Sequence, residues 1–154
     1  MTIPRQALHT MLLLAALSGL AACYRGKDIS ESLDKAVLVP HAGEVRLADL
    51  TRFDWDSLYL FGGYTARENI CKTIQLEIDE CARQIPFEWV AESNAALLFL
   101  SKGDLVHAEQ HAYSKGEFKP LPESQPLTPT TAVFRIVRTP SARVGDPDIE
   151  LVLK

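Results

Sequence analysis

The apolar residues of this chain fall into short runs separated by turn residues, and most of the runs have the length and alternation of β-strands. Residues 36–39 and 44–47 are two short strand candidates on either side of a turn marked by Pro40 and Gly43. Residues 53–61 follow, rich in aromatics and closed by Gly62-Gly63, with the strongest strand character in the chain. Thr65-Ala66-Arg67-Glu68 then has the spacing of a capping box, which predicts a helix start there. Ile70, Cys71 and Ile74 give that helix an apolar stripe, but residues 74–78 alternate as a strand does, so the helix is expected to end near Leu76.

Residues 95–100 read as a buried strand, and Lys102-Gly103-Asp104 as a turn into a second strand over 105–109. A helix capped by Asp104 and stopped at Gly116 is the competing reading. Four prolines between Lys119 and Thr130 make that segment an extended loop. Two last strands, 131–137 and 149–153, flank a Gly145-Asp146-Pro147 turn. Residues 24–35 are polar and read as a tether without hydrophobic periodicity. The expectation is a single small α+β domain over 36–154, an antiparallel β-sheet with one main α-helix.

Ahead of the tether, residues 1–22 have the form of an export signal. Arg5 is the one formal charge, residues 11–17 are apolar, and small residues precede Cys23. The apolar run is shorter than the roughly 20 residues that a transmembrane helix needs. Leu20-Ala21-Ala22-Cys23 resembles the lipobox of bacterial lipoproteins at all four positions. The resemblance implies that a lipoprotein signal peptidase cuts before Cys23, that Cys23 carries a diacylglycerol thioether, and that its new amino group is acylated. Three acyl chains would hold the protein on the membrane permanently, since two lipid signals already anchor stably. Tyr24 after the cysteine, in place of aspartate, resembles an outer-membrane address. The alternative is an ordinary signal peptide cut after Ala21. The segment from the aromatic strand to the capped helix also resembles small bacterial lipoproteins over about 20 residues, a likeness that carries no activity.

That address bears on the two remaining cysteines. Cys71 and Cys81 are an even pair in an oxidising compartment, where a disulfide is the default. Ten residues of continuous helix would hold them about 15 Å apart, whereas a bridge needs Cα atoms within about 7 Å. The chain must therefore turn between them if they pair; two unpaired buried thiols are the alternative.

Without residues 1–22, the chain keeps 15 basic and 20 acidic side chains, a net charge of −5. This argues against nucleic acid as a partner. His107-Ala108-Glu109-Gln110-His111 is the one cluster with metal-ligand chemistry. It is not the HExxH motif, because Ala108 stands where the general-base glutamate belongs. On a helix the two histidines could share an ion; on a strand they would stand about 13 Å apart. Asp54 and Asp56, near Trp55, Tyr59, Phe61 and Tyr64, invite a glycan-site reading, against which Trp55 is most simply core. No nucleophile elbow, phosphate loop or dinucleotide fingerprint is present. Catalytic residues, cofactor and metal are accordingly not assigned. The expected function is a lipid-anchored, non-enzymatic binding or accessory module at the periplasmic face of the outer membrane, with another envelope protein as partner and an inhibitor or immunity role as one version. The alternatives are a small envelope hydrolase or metal-dependent enzyme, and a purely structural lipoprotein.

Overall fold

The computed structural model describes residues 28–122, 125–141 and 147–154. The leader, the lipobox with Cys23, and Gly145 and Asp146 of the last turn lie outside the described residues. Within them the chain runs α1 (Ile29–Val37), β1 (Glu44–Arg46), β2 (Ser57–Phe61), α2 (Arg67–Thr73), α3 (Ile78–Gln84), β3 (Asn94–Ser101), β4 (Asp104–Ala112), β5 (Glu117–Lys119), β6 (Val133–Thr139) and β7 (Asp148–Leu153). The fold is α+β. Its strands form two sheets, β2-β3-β4 and β1-β6-β7-β5, antiparallel except where β5 joins β7 in parallel. No helix among the described residues is long and apolar enough to cross a membrane.

β3 organises the core. Ala95, Leu97 and Phe99 point to one face of its sheet and Ala96, Leu98 and Leu100 to the other, and all six are buried. A strand covered on both faces has no polar side to show, and this is why 95–100 reads as an unbroken apolar run. The first face packs against α1 and the four-stranded sheet through Leu33, Val45, Phe118, Phe134 and Leu151. The second is covered by α2 and α3 through Ile70, Ile74 and Ile85. The expected hairpin is present: β3 and β4 pair antiparallel from Asn94↔Ala112 to Ser101↔Asp104, turning on Lys102 (φ 54°) and Gly103 (φ 90°). Positive φ at both turn residues matches the right-handed twist of the strands, so the helical alternative for this segment is excluded.

Residues 29–37, expected as tether and first strand, are instead α1. Ile29, Leu33 and Val37 recur every four residues as a stripe that is wholly buried, with Ser30 buried beside it, while Glu31 and Lys35 face outward. Asp28 accepts from Glu31 N as the N-cap, and Lys35 pairs with Glu31 one turn away.

The capping box is also corrected. α2 starts at Arg67 with Ala66 as its N-cap, and Thr65 Oγ1 donates to Gly62 O at 2.8 Å instead. The turn before it needs the glycine at 63, for a Cβ there would lie 2.3 Å from the carbonyl oxygen of Glu92. The helix ends as expected, a little before Leu76. Leu76 N donates to Cys71 O and Gln75 N to Lys72 O, with Gln75 left-handed at φ 60°. This is a Schellman stop, and it turns the chain so that α3 returns along α2. Cys71 and Cys81 come to a Cα separation of 5.8 Å and are disulfide-bonded.

Candidate functional site

Three groups of chemically capable residues can be followed from sequence to position: the His107–His111 segment, the Asp54/Asp56 pair, and an exposed groove beside the disulfide.

On β4, His107, Glu109 and His111 share one face by strand alternation, directly opposite Phe99, Leu97 and Ala95 of β3. That face looks into the core, and α1 lies across it. Glu109 accepts Ile29 N at 3.1 Å through Oε2 and Ser30 N at 2.7 Å through Oε1. Asp28 accepts the next amide, Glu31 N, with its side chain, and Ser32 N with its carbonyl. Three of the four amide groups that a helix N-terminus leaves open, those of Ile29, Ser30 and Glu31, are thus occupied, and Ser32 N makes the first intrahelical bond. A carboxylate at this end also meets the positive pole of the helix dipole.

His111, fully buried, completes the joint. Ser30 Oγ lies 2.8 Å from its Nδ1, and Gly116 O lies 2.9 Å from its Nε2. A carbonyl only accepts, so Nε2 carries a proton, and in the neutral ring that burial favours Nδ1 accepts the Ser30 hydroxyl. Burial pushes the His111 pKa below its usual value, partly opposed by the Gly116 carbonyl. His107 stacks on Phe53 at 5.3 Å, and its Nε2 meets Glu109 Oε2 at 2.8 Å. The two histidines therefore turn their nitrogens to the protein and do not converge on an ion. Among the described residues no group of three or more His, Cys, Asp or Glu side chains could hold a metal.

The far end of α1 is held in the same manner. Arg138 of β6 donates to Val37 O at 2.6 Å, Val39 O at 3.2 Å and Ala42 O at 2.9 Å. A cation at the carbonyl end and a carboxylate at the amide end form a clasp matched to the helix dipole.

Asp54 and Asp56 do not form a site. Asp56 accepts Ser57 Oγ at 2.8 Å and, with its other oxygen, the amide of Lys102 in the β3–β4 turn, and these bonds hold its carboxyl below the usual range. Asp54 is exposed on the approach to β2. Trp55 is buried edge-on against Phe99 with Nε1 donating to Thr51 Oγ1, a core residue as expected. Tyr59 and Phe61 stack with each other on the α2/α3 side.

The groove was not anticipated from the sequence. It has a volume of about 260 Å³ and lies between α2, α3 and the strand-like segment before β3, lined by Ala66, Cys71, Ile78, Ala82, Glu88 and Trp89 among others. Trp89 is 61% exposed and Ile78 51%, and nearby Tyr64 is 66% exposed, its phenol held above its usual pKa by a hydrogen bond to Glu92. The signal was available as Glu88-Trp89, a tryptophan beside a charge outside any alternating run. No protein-family model, no curated protein and no solved structure matches the chain.

Proposed function

We propose that the protein is an acylated envelope lipoprotein whose domain works as a non-enzymatic binding module close to the periplasmic face of the outer membrane. The observation that carries this reading is a division of labour between the two faces of the β2-β3-β4 sheet. On one face, the residues capable of metal or acid–base chemistry, His107, Glu109 and His111, are engaged in fastening α1. On the other, the α2–α3 layer that covers the sheet carries an aromatic-edged groove at which the side chains of Trp89 and Ile78 are more than half exposed. α1 is also where the lipid would join the domain. Only five residues lie between Cys23 and Ile29, a fully extended reach of at most about 20 Å, so the clasp would make the anchor and the core mechanically continuous. The Cys71–Cys81 disulfide suits an oxidising compartment.

Intact-mass measurement and fractionation test the anchor. The mature chain should begin at a triacylated Cys23 and sediment with outer membrane, and Cys23→Ser should leave it in the soluble periplasmic fraction. An unmodified Cys23, or a serine variant still bound to membrane, overturns the proposal.

A further inference from the structure

The groove between α2 and α3 is small, open and already shaped. At about 260 Å³ it falls below the roughly 300–1,000 Å³ of pockets that enclose a free small ligand, and is of the size to accept a single side chain. Its lining is apolar at Ala66, Cys71, Ile78 and Ala82, charged at Arg67, Glu68 and Glu88, and aromatic at Trp89. The disulfide fixes the two helices against each other, so little ordering would be required on binding.

Charge selects the occupant. Residues 64–92 carry six acidic and three basic side chains, which accounts for −3 of the mature net charge of −5. Lys72 is offset by Glu68 at 2.7 Å, and Arg67, whose charge is not offset by an acid, is directed by its hydrogen bond to Ile85 O at 3.3 Å. Glu88 borders the groove, exposed, with no hydrogen-bond partner for its carboxylate among the described residues. An apolar lining beside an aromatic face and a free carboxylate matches one kind of side chain, a long aliphatic stem ending in a cation.

We infer that this groove is a docking site for a basic protein segment, one of whose arginine or lysine side chains lays its stem along Ile78 and the Cys71 side of the disulfide and its cation over Trp89, facing Glu88. The inference rests on the binding-module reading and names its surface and partner chemistry.

The test follows the Trp89 indole resonance of the full mature chain by NMR while a short blocked peptide alternating arginine and leucine is added. A saturable shift is expected, with affinity at least threefold weaker at 500 mM than at 50 mM NaCl. Trp89→Ala, followed by the neighbouring amide signals, should weaken binding at least tenfold, and Glu88→Gln at least threefold. A glutamate–leucine peptide should leave the resonance unmoved. An unresponsive resonance, equal binding by Trp89→Ala, or an equal response to the glutamate peptide overturns the assignment. So does a shift that depends on protein concentration alone, which would make a second copy of the chain the occupant. A photocrosslinker placed at Ala82, exposed in the groove lining, and, separately, at Val106, exposed on β4, in cells separates the two proposals: capture of a partner at 106 and none at 82 removes the groove while leaving the binding module.

Discussion

His111 shows how one buried ring can be structural and still respond to pH. In the folded protein its Nδ1 accepts the Ser30 hydroxyl and its Nε2 proton is given to Gly116 O, so a second proton would have to displace the Ser30 hydrogen. Burial lowers its pKa, with Asp28 and Asp34 drawing it slightly up and Lys115 slightly down. The unfolded chain titrates this ring near 6.5. Above that pH both states are neutral and the contribution to stability is complete. As pH falls below 6.5 towards the lowered folded value, the unfolded chain takes up the proton first and stability declines, with a slope for one proton of at most about 1.4 kcal/mol per pH unit. Urea midpoints measured between pH 7.5 and 5 should therefore fall on acidification. In His111→Asn the starting stability should be lower and this component of the slope lost; an unchanged slope would show that another group is responsible.

Among the elements, the α2–α3 pair depends most on its crosslink. Each helix has seven residues, too few to persist without support, and neither has a side-chain N-cap. Closing a loop of ten residues should stabilise the fold by about 2–3 kcal/mol in the chain-entropy model. Replacing both Cys71 and Cys81 by alanine should lower the unfolding free energy by about that amount, and hydrogen exchange should quicken in α2 and α3 before β3 and β4. A uniform acceleration would mean that the helices are not a separate unit. The bridge was legible in the sequence as an even pair of cysteines behind an expected export signal, at a spacing that requires the chain to turn between them. So was β3, whose six buried apolar residues have no polar alternation to confuse them. α1 was misread as tether: its signal, the Ile29-Leu33-Val37 spacing and the Asp28 cap, is a three-residue stripe inside a charged stretch. What local pattern could not give is the partner of α1. Glu109 is about 80 residues away from the amides it caps, and the same His-x-Glu-x-His alternation that resembles a ligand set becomes a clasp only when a helix is laid over it.

For the whole molecule, the clasp decides whether the path from the proposed anchor to the core is taut or slack. With α1 docked, the core begins at Ile29; with α1 detached, the free chain would extend to Ala42, more than tripling the residues between Cys23 and the first fixed element at β1. The state can be read at Lys35, whose side chain is exposed but whose backbone is helical, so trypsin can cut after it only when α1 opens. Removing the Glu109 carboxylate leaves the amides of Ile29 and Ser30 without their acceptor in a part-buried setting, at a cost of about 2 kcal/mol for bonds to a charged group. If α1 opens locally, that cost enters its opening equilibrium directly. Cleavage after Lys35 in Glu109→Ala should then rise about thirtyfold, since each 1.4 kcal/mol is a factor of ten. Mass analysis identifies the event by a new amino terminus at Ala36, distinct from cuts at Arg25 or Lys27. Cleavage after Arg135 and Arg138 within β6 at the same rate would instead mean that α1 opens only with the whole domain, and that the anchor is joined to a single cooperative unit.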